Sequence, residues 1–113
     1  LFSPVAPRTL VVDLAREFGL PLVVVDAARL GLVGRTLMAV RAARAEGLRV
    51  AAVVVSQTGP LRGADDDSAG DAAILRSGLA MLRARLPDVA VGVLPHAATR
   101  VEPAIDWRGL AAG

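Results

Sequence analysis

Three stretches of the chain are apolar at nearly every position: Leu22–Asp26, Val50–Ser56 and Val89–Leu94. A strand with one wet face alternates between apolar and polar residues, whereas these runs do not, which predicts strands buried on both faces of a parallel sheet. Helical spacing separates them. The segment Thr9 to Phe18 is expected to be a helix with Thr9 as its N-cap and Gly19 at its stop. A second helix is expected over Leu32 to Glu46, with Gly47 as the residue that ends it. The third, Asp71 to Leu86, places Leu75, Leu79, Leu82 and Leu86 on one face before Pro87 breaks it.

The order α-β-α-β-α-β with short connections is that of an open parallel α/β sheet with flanking helices. One connection is long and polar, Thr58 to Asp71, and is expected to be mobile or functional. The last stretch, "RVEPAIDWRGLAAG", reads as a short amphipathic tail. Three parallel strands leave an apolar edge on each side. Further strands are therefore expected from an N-terminal half or from a partner chain.

Composition narrows the classes. The 113 residues suffice for a single domain and are 54% hydrophobic. No apolar run approaches the ~20 residues of a membrane span. The first residues are not signal-like, and the expectation is a cytoplasmic piece of a longer protein. Without cysteine, disulfides, Cys–zinc sites and thiol catalysis are excluded. All 13 basic residues are Arg, the net charge is only +2, and the arginines form no stripe. With no aromatic platform beside them, no nucleic-acid partner is expected.

In an open parallel sheet, ligands gather beyond the carboxyl ends of the strands. Here that rim is built from "AARLGLVG", "SQTGPLRG" and "PHAATR". The third helix has Ser68 and Asp71 in the spacing of a capping box, which would satisfy its first amides internally. The second begins Gly31-Leu32-Val33-Gly34 with no such residue, flanked by Arg29 and Arg35. Its amides and dipole suit an anion, or else water satisfies them and the glycines serve packing. His96 is the only histidine and would either border a nucleotide base or simply be exposed. Asp65, Asp66 and Asp67 are adjacent carboxylates that cannot all face one ion, so they read as a solvated loop rather than a metal site. Ser56 and Ser77 lack a supporting base for nucleophilic catalysis. A phosphate loop of the Gly-x-x-x-x-Gly-Lys-Ser/Thr type cannot exist in a chain without lysine. Catalysis by this chain alone is not expected.

Several of these segments, in order, resemble the second half of the dethiobiotin synthetase family. The resemblance runs through Asp13-Leu14-Ala15, Gly19-Leu20-Pro21 before the first strand, Leu30-Gly31, Thr36-Leu37 and Ala45-Glu46-Gly47-Leu48. It continues in the strand ending at Ser56 and in "VGVLPH", Val91 to His96. The opening "LFSP", Leu1 to Pro4, is similar to the residues just after a Gly-Gly segment of the family. The resemblance implies the C-terminal half of a P-loop NTPase-like fold that acts as a homodimer. It further implies closure of the dethiobiotin ring from 7,8-diaminopelargonate, CO₂ and ATP with Mg²⁺, by way of a carbamate. The phosphate-loop lysine and the Mg²⁺ ligands would lie in the N-terminal half. By the same resemblance, Gly31, Leu32, Val33, Gly34 and Arg35 would bind the substrate's carboxylate tail. Ser56, Gln57, Pro95, His96 and Ala97 would frame the adenine of the nucleotide.

Three positions depart from the family's pattern. Gly34-Arg35 stands for its Asn-His, Ser56 for its adenine-reading Asn, and Asp26 for an apolar or small residue. These departures leave open a non-catalytic regulatory or interaction relative, or an amidoligase of the cobyrinate-synthetase type.

Overall fold

The computed structural model describes residues 1–57 and 66–112. A short antiparallel hairpin, β1 (Pro4–Ala6) and β2 (Thr9–Leu10), leads into α1 (Val11–Phe18). After it come β3 (Leu22–Ala27), α2 (Leu32–Ala45), β4 (Val50–Ser56), α3 (Asp66–Arg85), β5 (Ala90–Leu94) and α4 (Trp107–Ala112). Strands β3, β4 and β5 form a parallel sheet in that order. The expected α/β architecture with a parallel sheet and flanking helices is present.

Apolar burial explains the layering. Val53 and Val55 of β4 and Val91 of β5 meet Leu32, Val40 and Ala43 of α2 and Leu82 and Leu86 of α3 in one core. These β4 residues alternate, so they share a face, and both helices pack there. The opposite face carries small residues where the chain crosses it. A Cβ on Gly92 would lie 3.2 Å from the Glu102 carbonyl and run into Val101. The tail that includes Val101 and Ile105 therefore lies over β5. Val93 and Glu102 exchange both backbone hydrogen bonds at 2.7 Å, which covers part of the outer edge of β5.

On β3, Val23 and Val25 point away from the helices and are 44% and 62% exposed. Phe18 and Leu20, just ahead of that strand, are exposed as well. These side chains make an exposed apolar face on β3, whose outer backbone edge is also unpaired among the described strands, while the β5 edge expected to be open is partly covered by the tail.

Two helix starts differ from expectation. Thr9 does not cap α1, because it is paired with Ala6 in the hairpin. The cap position falls to Leu10, whose N–H donates to the Asp13 carboxylate at 2.8 Å. The amides of Val11 and Val12 donate to the carbonyls of Ser3 and Leu1, so the strand pairing does the work of a cap. Helix α3 begins at Asp66, which puts Ser68 inside the first turn rather than at the N-cap. The polar loop 58–65, with Asp65, lies outside the described residues, as do the side chains of Asp66, Asp67, Ser68 and Asp71. The stops are as expected: Gly19 and Gly47 adopt φ 65° and 79°.

Candidate functional site at the strand ends

The three strands end side by side. The Ala28 amide donates to the Ser56 carbonyl at 2.9 Å, and the Gln57 amide to the Leu94 carbonyl at 2.9 Å. These bonds join the residues after β3, β4 and β5 into one rim. The sequence candidates Gly31–Arg35, Ser56–Gln57 and Pro95–Ala97 therefore all stand at the same end of the sheet.

Helix α2 starts from Gly31 in the left-handed conformation, φ 88°, with no side-chain cap. The Leu32 amide is satisfied by the Arg29 carbonyl at 3.0 Å. Val33 and Gly34 have no partner for their amides among the described residues. Beside this start runs a groove of about 280 Å³, closed on the far side by Ile74, Ser77, Gly78 and Met81 of α3. The helices approach closely there, with Leu32 Cδ2 at 3.0 Å from where a Cβ on Gly78 would sit. A larger cavity, about 500 Å³, lies along the body of α2 beside Met38, Arg41 and Arg85. It contains none of the rim residues.

Arg35 is tied into the turn that precedes it. Its Nε donates to Asp26 Oδ2 at 3.0 Å, Nη1 to the Leu30 carbonyl at 2.7 Å, and Nη2 to the Ala27 carbonyl at 3.3 Å. Asp26 Oδ1 accepts from the Ala27 amide at 2.8 Å. The role of Asp26 was not legible in the sequence beyond its being a charge at the end of an apolar run. Opposite charges nine residues apart carry no periodic signal, and the turn between them brings them together.

The rim beyond β4 and β5 is more open. Ser56 and Gln57 are half-buried, and His96 and Ala97 are exposed. The Ala98 amide donates to the Pro95 carbonyl at 3.0 Å, closing a turn in which Ala97 takes φ 60°. A left-handed alanine is uncommon outside tight turns of this kind. Thr36 of α2 is fully buried, and its hydroxyl has no partner among the described residues. Among those residues no group of three or more His, Asp or Glu is placed to hold a metal ion. Nor is any described helix long and apolar enough to cross a membrane.

An open parallel sheet with its candidate residues gathered beyond the strand ends is the arrangement of a ligand-binding α/β protein. Residues 1–103 match a family model described as an AAA domain, and the chain belongs to that P-loop NTPase-like family, which includes dethiobiotin synthetase. It is 34% identical over 95 residues to the ATP-dependent dethiobiotin synthetase BioD of Aromatoleum aromaticum, covering 84% of this chain and 38% of the relative. The BioD of Anaeromyxobacter sp. (strain K) is 43% identical over 60 residues, 53% of this chain and 27% of that protein. The BioD of Bacillus cereus (strain B4264) is 43% identical over 56 residues, 50% of this chain and 23% of that protein. The chain thus spans well under half the length of these relatives. No solved structure gives a significant match.

Proposed function

We propose that the protein containing this chain is an ATP-dependent dethiobiotin synthetase or a close homologue, and that this chain is its C-terminal part. In that reading, Gly31–Arg35 receive the carboxylate tail of 7,8-diaminopelargonate, while Ser56, Gln57 and Pro95–Ala97 border the base of ATP. The similarity to the three BioD proteins supports the reaction. The observation that carries the assignment of sites is the rim: three strand ends joined by backbone hydrogen bonds, with the uncapped start of α2 at one side. The two N–H groups of Val33 and Gly34 and the remaining donors of Arg35 suit a carboxylate.

The residues present fit the base of a nucleotide better than its phosphates. Without lysine, this chain offers no phosphate-loop lysine; the N-terminal half would supply it, together with the Mg²⁺ contacts. A cytoplasmic homodimer completes the proposal, with the open edge at β3 covered by the rest of the protein.

The test is diaminopelargonate-dependent ATP cleavage by the full-length protein, with dethiobiotin identified as product by mass. Cleavage that depends on the diamine and yields dethiobiotin supports the reading. Nucleotide binding without that reaction would favour the non-catalytic relative, for which Ser56 and Gly34-Arg35 already speak.

A further inference from the structure

The guanidinium of Arg35 has five N–H donors. Three are used, by Asp26 Oδ2, the Leu30 carbonyl and the Ala27 carbonyl. Two remain, and the side chain is 42% exposed, so a ligand can reach it. Asp26 is far less accessible, at 21%. Both its oxygens are engaged, one by Arg35 and one by the Ala27 amide, which fixes the carboxylate against the guanidinium.

That arrangement sets the charge a ligand meets. An anion bound to the remaining donors of Arg35 stands one guanidinium away from a fixed negative charge. Its Coulomb gain grows in proportion to its own charge, while the cost of stripping its water grows roughly as the square. A strongly cationic site can overcome the larger cost for a dianion. A guanidinium already neutralised by a neighbouring carboxylate cannot.

We propose that Asp26 is a specificity-determining residue of this rim: by holding its carboxylate against Arg35, it selects a monoanionic carboxylate and disfavours a dianionic phosphate ester. The inference rests on the reading of Gly31–Arg35 as the site of the substrate's acidic end. It adds the charge class that the site accepts and the residue that enforces it.

The test uses the full-length protein labelled with ¹⁵N-glycine, with nonanoate and nonyl phosphate as probes. It is run at about pH 8, where an alkyl phosphate is a dianion. Shifts of the Gly31 and Gly34 amides report binding at this turn. The wild-type protein is expected to bind nonanoate about tenfold more tightly than nonyl phosphate, and Asp26→Asn to reduce that preference to about twofold or less. Asp26→Ala should act in the same direction, and Asp26→Glu, which keeps the charge, should preserve the preference. Thermal melts establish that each variant is folded.

If the preference is unchanged in both charge-removing variants, or both probes weaken equally, Asp26 is only a tie for the turn and the proposal is overturned, with the site itself intact. If neither probe shifts the two glycine amides in the wild-type protein, the site reading fails and takes the proposal with it.

Discussion

Gly92 of β5 lies directly against Val101, in a place where a single methyl group on the glycine would occupy the space of Val101 Cγ1. The same methyl would crowd the Glu102 carbonyl and approach Ile105 Cδ1 at 3.4 Å. The glycine is what lets the tail cross the sheet face closely enough for Val93 and Glu102 to pair. Gly92→Ala should therefore destabilise the fold by about 1–3 kcal/mol, the usual penalty for overpacking. Chemical denaturation checks the magnitude, and amide exchange at Val93 and Glu102 should quicken. An unchanged midpoint with unchanged exchange would mean that the tail shifts without loss.

The exposed pair Val23 and Val25 leads to a second expectation. Residues 1–113 expressed alone should bind a hydrophobic dye or self-associate through this face, because exposed apolar patches of this kind mark contact surfaces. Val25→Lys, at a position 62% exposed, should cut the dye signal while leaving stability within about 0.5 kcal/mol. A monodisperse chain that melts cooperatively without dye binding would contradict it.

Much of this architecture is written locally. The uninterrupted apolar runs predict the three strands, although only β4 is buried on both faces and β3 leaves Val23 and Val25 exposed. Glycines at 19 and 47 mark helix ends because only a left-handed residue closes them comfortably. What was not legible depends on pairing at a distance. Thr9 looks like a cap until Pro4–Ala6 folds back beside it and the carbonyls of Leu1 and Ser3 take over the first amides of α1. The rim candidates follow from strand order, but the Asp26–Arg35 pair does not. A turn with Gly31 at its corner creates that contact, and no spacing rule encodes it.

If the full-length protein has the proposed activity and the acidic end of its substrate meets Arg35, then Arg35→Ala removes one charge-assisted contact, worth about 1.5–3 kcal/mol. The KM for diaminopelargonate should rise roughly 10- to 150-fold, with kcat little changed. The melting temperature should barely move, because the Asp26–Arg35 pair is partly solvated and such pairs contribute about 0–1 kcal/mol. Steady-state kinetics with calorimetry separate the two effects. An unchanged KM would remove Arg35 from the site.

If Ser56 borders the base of a nucleotide, as proposed, that contact can be tested. A serine hydroxyl makes one directed contact with a base edge, whereas an asparagine amide can read adenine with two, worth about 1–3 kcal/mol of discrimination. Ser56→Asn should therefore increase the preference for ATP over GTP by roughly tenfold or more. Competition between the two nucleotides measures it directly. An unchanged ratio would place the base away from the end of β4.

Gly31 and Arg35 should prove coupled for binding but not for stability. Gly31 takes φ 88°, and a Cβ there would sit 2.8 Å from Arg35 Nη1. Gly31→Ala thus has two separable consequences. The left-handed backbone costs an alanine about 1–2 kcal/mol whatever occupies position 35. The displaced guanidinium loses its bond to the Leu30 carbonyl and its aim at the ligand, and because its end is flexible and half-exposed it can move rather than break the turn. In a double-mutant cycle, the stability loss from Gly31→Ala should be nearly the same with Arg35 or with alanine at 35. Its effect on KM should largely vanish once Arg35 is gone, since the group it displaces is no longer there. KM effects that simply add would mean that Gly31 serves the ligand through its own backbone, independently of the guanidinium beside it.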